Sequence, residues 1–83
     1  MQVRVLFFAS LRERAGTNEA FQTLADDQTV GDLWQVLVEL YPAIEPMGTS
    51  VSFAVNQEYA DRAQALRDGD EVALIPPVSG GAR

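Results

Sequence analysis

Three side chains that carry much of protein chemistry are missing from this 83-residue sequence: it has no cysteine, no histidine and no lysine, all six basic residues being arginine. Without thiols or imidazoles there is no disulfide, no thiolate nucleophile, no imidazole general base and none of the usual zinc ligands. Without lysine there is no Schiff-base chemistry on a side chain. A self-sufficient enzyme is therefore disfavoured. Positive charge is also scarce. Six Arg against twelve Asp and Glu leave a formal charge of −6, which argues against nucleic acid and anionic membrane, both bound mainly through concentrated positive charge. Acidity of this size points to a basic partner surface, and it also keeps a small protein in solution. No apolar run approaches the length of a membrane span, and the opening Met1-Gln2-Val3-Arg4 shows no series of basic segment, apolar stretch and cleavage site. A cytoplasmic protein is the expectation.

What is present fits one small globular domain, with 47% hydrophobic residues to build a single core. Val3-Arg4-Val5-Leu6-Phe7-Phe8-Ala9 is rich in β-branched and aromatic residues and predicts a first strand. Its pleat places Val3, Val5 and Phe7 on one face and Arg4, Leu6 and Phe8 on the other. The face that Arg4 marks as wet thus also carries two large apolar side chains. Either both faces are covered within the domain, or one is a docking patch.

Ser10 to Gly16 predicts a short helical turn, with Ser10 as N-cap and Gly16 as C-terminal stop. Its alternating charges describe a solvated face, although Arg12 is a candidate to pair with an acidic group on a partner. Thr17 to Leu24 predicts a second strand. Thr29-Val30-Gly31-Asp32 opens the main helix as a capping box with Asp in place of the usual Glu or Gln. Val30, Leu33, Trp34, Leu37, Leu40 and Tyr41 then form one helical stripe, which packing explains better than an aromatic ligand site. Pro42 ends the helix. Ala43 to Ser50 is a connection, and Val51 to Asn56 predicts a half-buried strand with Val51, Phe53 and Val55 inward. Asn56 to Tyr59 turns and returns as a short edge segment. The Asp68-Gly69-Asp70 turn lacks the ligand spacing of a calcium loop, so no metal site is expected. Glu71-Val72-Ala73-Leu74-Ile75 is the last strand. If it lies beside the first, Leu6, Phe8 and Ile75 form one apolar patch.

The final stretch, Pro76-Pro77-Val78-Ser79-Gly80-Gly81-Ala82-Arg83, does not belong to this scaffold. Two prolines remove two backbone donors, so the last strand stops pairing there. The two glycines, lacking Cβ, suit a narrow channel that no side chain would enter. The expected organisation is a domain over residues 1–75 and a flexible tail over 76–83.

Strand, strand, long helix, strand, short edge segment, strand is the order of an α+β fold of the β-grasp, or ubiquitin-like, type: a mixed sheet of four to five strands packed on one main helix. Val5-Leu6-Phe7-Phe8-Ala9 with Leu11-Arg12-Glu13, Ala54-Val55-Asn56-Gln57, Asp68-Gly69-Asp70-Glu71-Val72 and Pro76-Pro77-Val78-Ser79-Gly80-Gly81 closely resemble the small subunits of molybdopterin synthase, in the MoaD/ThiS family of ubiquitin-like sulfur carriers. The related thiamine sulfur carriers share the fold and Gly-Gly but usually not the Pro-Pro. The resemblance implies that the matching Gly81 is adenylated by an E1-like activating enzyme using ATP and converted to a thiocarboxylate. It also implies that the tail, Pro76 to Gly80, enters the large subunit, where sulfur passes to cyclic pyranopterin monophosphate in a heterotetramer. No cofactor is expected on the chain itself; ATP belongs to the activating enzyme. Leu6, Phe8, Arg12 and Ile75 are the expected partner contacts. In that family the active form ends at the second glycine, whereas Ala82-Arg83 follow here, so activation implies their removal or release. A sulfur carrier for thiazole or another metabolite, and a ubiquitin-like modifier or binding module, remain the alternatives.

Overall fold

A computed structural model describes residues 1–77. The elements run β1 (Gln2–Phe7), α1 (Ala9–Ala15), β2 (Glu19–Thr23), α2 (Val30–Leu40), a 3-10 helix (Pro42–Met47), β3 (Ser52–Val55), β4 (Glu58–Ala60) and β5 (Glu71–Ile75). The strands form one mixed sheet in the order β2-β1-β5-β3-β4. β1 pairs antiparallel with β2 and parallel with β5, and β3 lies antiparallel between β5 and β4. First and last strands are therefore neighbours at the centre, and the β-grasp arrangement expected from the element order is the one observed.

Alternation sorts the strands as the pleat requires. Val3, Val5 and Phe7, Phe53 and Val55, and Val72 and Leu74 are buried on one face. They meet Val30, Leu33, Trp34 and Leu37 of α2, with Leu11, Leu24, Ile44 and Leu66 closing the margins. No polar or charged side chain is buried among the described residues. Two edge-to-face aromatic pairs stitch the layers, Trp34 to Phe53 at 5.9 Å and Tyr41 to Phe7 at 5.3 Å between centroids.

α2 begins where its capping box forms. Asp32 donates its N–H to the Thr29 hydroxyl at 3.2 Å, and the Asp32 carboxylate accepts from the Thr29 N–H at 2.9 Å. Such a cap stabilises by about 1 kcal/mol. The neighbouring N–H groups of Val30 and Gly31 donate to the carbonyls of Gln64 and Arg62, both at 2.9 Å, so the loop before β5 closes the helix start. A Cβ at residue 31 would stand 3.2 Å from the Arg62 carbonyl, which explains a glycine inside the first turn. Arg62 also lays its guanidinium over Trp34 and Phe53 and donates to the Gly48 carbonyl.

Three expectations need correction. Leu40, counted in the buried stripe, is 53% exposed. It sits on the last turn about 80° around the axis from Val30, and Tyr41 packs inward in its place. Ser10 does not cap α1; the N-cap is Phe8, which contributes no side-chain hydrogen bond, and the helix starts at Ala9. Gly16 does stop it, at φ 78°, with its N–H on the Arg12 carbonyl at 2.9 Å. The stretch from Ala43 to Ser50 is more than a connection, since Pro42 at the start presets a 3-10 helix whose Ile44 is fully buried.

The acidic turn before β5 is structural. Asp68 accepts from the Gln2 N–H at 2.7 Å and Asp70 from the Arg67 N–H at 2.8 Å, with Gly69 at φ 87°. Among the described residues no helix is long and apolar enough to cross a membrane.

Candidate functional site

The face of the sheet opposite α2 carries the features that packing does not consume. Register places Leu6 of β1 beside Ala73 of β5, Ala73 beside Ala54 of β3, and Ala54 beside Tyr59 of β4. One row across four strands thus has a floor of two alanines between a leucine and a tyrosine. Phe8, one step beyond β1, and Ile75 complete the walls. Together they line a shallow cavity of about 460 Å³ that also touches Arg4, Gln57 and Glu71. Phe8 is 46% and Tyr59 80% exposed, large apolar surfaces that no element among the described residues covers.

One end of this trough is charged. The Arg4 guanidinium is ion-paired to Glu19 through Nε and to Glu71 through Nη1, the latter at 3.2 Å. These side chains are roughly a third to a half exposed, so each pair contributes at most about 1 kcal/mol. Their larger effect is on complementarity: two carboxylates on one guanidinium leave that end net negative. At the other end Phe8 and Ile75 continue into a second apolar cavity of about 480 Å³, which they line with Ala9, Pro76 and Pro77. The trough therefore leads directly to the root of the tail.

Leu6, Phe8 and Ile75 are brought together as the pleat implied, outside the core and away from α2. Arg12 is exposed on α1 and lines neither cavity. Pro76 is half-buried and Pro77 exposed at the end of β5. Val78, Ser79, Gly80 and Gly81 lie outside the described residues. Three features escaped the sequence: the Ala54/Ala73 floor, Tyr59 as the far wall, and the triad on Arg4. The alternation of Phe53 and Val55 already sends Ala54 outward, but the contact of Ala54 with both Ala73 and Tyr59 depends on register across three strands. Among the described residues there is no cluster of three or more carboxylates placed to hold a metal ion.

An open apolar trough leading to the root of a tail does not by itself name a family, and comparison with known families does. The model of the ThiS family matches residues 5–81, nearly the whole chain. The chain belongs to the ThiS family. Among its relatives, a molybdopterin synthase sulfur carrier subunit from Chlamydomonas reinhardtii is 46% identical over 83 residues, covering 98% of this chain and 100% of the relative. Among solved structures, SAMP1 from Haloferax volcanii matches this ThiS-family chain with a TM-score of 0.89 at 34% identity, over 98% of this chain and 100% of that one. A chain from the complex of subunits 1 and 2 of the molybdopterin-converting factor of Helicobacter pylori 26695 matches with a TM-score of 0.71 at 27% identity, over 98% and 100%.

Proposed function

We propose that this ThiS-family chain is the sulfur carrier subunit of a molybdopterin synthase. The observation that carries the reading is the 46% identity, over its full length, to a sulfur carrier subunit of that enzyme. In the form ending at Gly81, the terminal carboxylate is first joined to AMP by an E1-like activating enzyme, with ATP supplying the AMP and pyrophosphate leaving. A carboxylate is a poor electrophile until one oxygen becomes a leaving group, and adenylation provides that group. Sulfide, as HS−, then attacks the carbonyl carbon, AMP departs with the electron pair of the broken C–O bond, and loss of the remaining proton leaves a thiocarboxylate. The large subunit takes up the tail and sulfur passes to cyclic pyranopterin monophosphate. Water returns the carrier to its carboxylate.

The chain's own residues bind and present. Leu6, Phe8, Ile75 and Tyr59 form the apolar contact with the large subunit, and Arg12 adds a charge on a neighbouring surface. Pro76 to Gly80 form the arm, with Gly80 and Gly81 free of side chains that would block a channel. The chain contributes no catalytic side chain and binds no cofactor. Subunit 1 of the Helicobacter pylori factor was solved in complex with subunit 2, which supports a large-subunit partner; the assembly proposed for this protein is a heterotetramer in the cytoplasm.

The test is intact mass spectrometry of the Gly81-ended protein after incubation with activating enzyme, ATP and a sulfur donor. Exchange of one oxygen for sulfur is expected; an unchanged mass overturns the reading. Sulfur transfer to the pterin precursor with the large subunit then separates this carrier from one serving thiazole. A second reading has specific support in the similarity to SAMP1, a small archaeal modifier protein. It predicts that the activated Gly81-ended form becomes joined to amines of other proteins, which the same mass measurement on a mixed lysate detects.

A further inference from the structure

The prolines at 76 and 77 account for only half of the end of the sheet. Along the parallel β1–β5 pair, the Arg4 N–H donates to the Asp70 carbonyl at 2.9 Å and the Phe8 N–H to the Leu74 carbonyl at 3.3 Å. In a parallel ladder every second residue donates, so the next rung in that series would run from the Ser10 N–H to the Pro76 carbonyl. Proline removes a donor but keeps its acceptor; Pro76 does nothing to prevent that rung. The backbone of Ala9 prevents it. Ala9 has φ +49°, a left-handed conformation unusual for a residue with a Cβ, and it swings the chain out of β1 into α1. The return rung, from a donor at residue 76 to the Phe8 carbonyl, is the one that Pro76 does abolish. That carbonyl instead accepts from the N–H groups of Leu11 and Arg12, at 3.0 and 3.4 Å, and so starts α1.

We propose that Ala9 and Pro76 act together to release the tail from β1, with Ala9 as a positioning residue. Pro76 withholds the tail's donor, and the strained turn at Ala9 withdraws the donor of β1 and commits the Phe8 carbonyl to α1. Nothing caps this helix start through a side chain, so the strain is not repaid locally by a cap. Strained backbone of this kind persists where the surroundings over-determine it, often beside a functional segment. Here the segment is the root of the arm that presents Gly81, which is where the inference rests on the carrier reading.

Amide hydrogen exchange on the full chain tests the release without any partner. In the wild type the Phe8 amide is expected to exchange at least about tenfold more slowly than that of Ser10. In Pro76→Ala the new amide at position 76 is expected to exchange as freely as Ser10, because the Phe8 carbonyl is already engaged. Ala9→Gly keeps the turn without a Cβ, and its folding constant is expected to rise about threefold with Ser10 still exposed. In the double variant Ala9→Val/Pro76→Ala both amides gain protection. With the large subunit, the double variant's KM as carrier rises about tenfold at nearly constant kcat, as expected when the arm must be peeled off before use. A protected Ser10 amide in the wild type, a protected amide at 76 in the single variant, or a lower folding constant for Ala9→Gly overturns the proposal. So does a folded double variant with both amides exposed. If that variant does not fold, the wild-type and single-variant measurements still decide. Loss of the exchange pattern removes the release device alone, whereas failure of the oxygen-to-sulfur exchange removes the carrier reading alone.

Discussion

Phe7 and Phe8 are adjacent, of one residue type, and opposite in fate: Phe7 is 2% exposed under α2 and Phe8 46% exposed on the bare face. The difference is one step of the pleat. It extends across the sheet, with Val5, Val72, Phe53 and Val55 inward and Leu6, Ala73 and Ala54 outward. The inner face is sealed by a capped helix and by two edge-to-face aromatic pairs. The outer face has small residues where the inner one has large ones, and its largest side chains stand at the rim. Stability resides on one side of β1 and, on the function proposed above, recognition on the other, so substitutions on the two sides should separate cleanly.

The largest effect is expected inside. Phe7→Ala should cost about 3–5 kcal/mol in a urea titration, a large share of what a domain of this size possesses. On the other face Phe8→Asp should leave the urea midpoint nearly unchanged while weakening binding to the large subunit at least about tenfold, or about 1.4 kcal/mol. A variant at Phe8 that unfolds the domain would erase the distinction between the faces. Smaller again is Thr29→Ala, which removes a cap that serves only the inner layer. It should cost about 1 kcal/mol of stability and leave the affinity for the large subunit as it was. Arg4→Ala should change stability by no more than about 1 kcal/mol, because its two ion pairs are open to water. Its measurable signature is in association: removing the guanidinium leaves Glu19 and Glu71 unneutralised, so the on-rate for a basic partner should rise at low ionic strength and converge on wild type as salt screens the charge.

Sequence alone places most of this comparison, because period-two alternation is strong in β1, β3 and β5 and the capping residues of α2 are unambiguous. Local pattern fails where tertiary contacts decide. Ser10 has the side chain of an N-cap but not the position, since the helix start is set by the turn at Ala9 and by the Phe8 carbonyl. Leu40 lies at the edge of the helical stripe, about 80° around from Val30, and faces water because Tyr41 fills the inner position. The Arg4–Glu19–Glu71 triad and the alanine floor draw between them on four strands, and only register brings these residues together. Gly80 and Gly81, the most specific part of the motif, lie outside the described residues, and their role is carried by the resemblance and by the kinship with sulfur carrier subunits.

The parallel pairing of β1 with β5 also governs when this protein exists as a fold at all. β5 occupies the place between β1 and β3, so a chain still lacking Glu71–Ile75 has two separate hairpins, β1–β2 and β3–β4, with nothing to join them into one sheet. Contacts this distant along the chain form late, after the cost of closing nearly the whole loop has been met. During synthesis the earlier portion can form its hairpins, but the single five-stranded sheet waits for the last strand. A partner that needs the outer face as well as the residues after β5 therefore selects finished molecules: a chain truncated before β5 offers it neither, and an unfolded full-length chain offers those residues without the face.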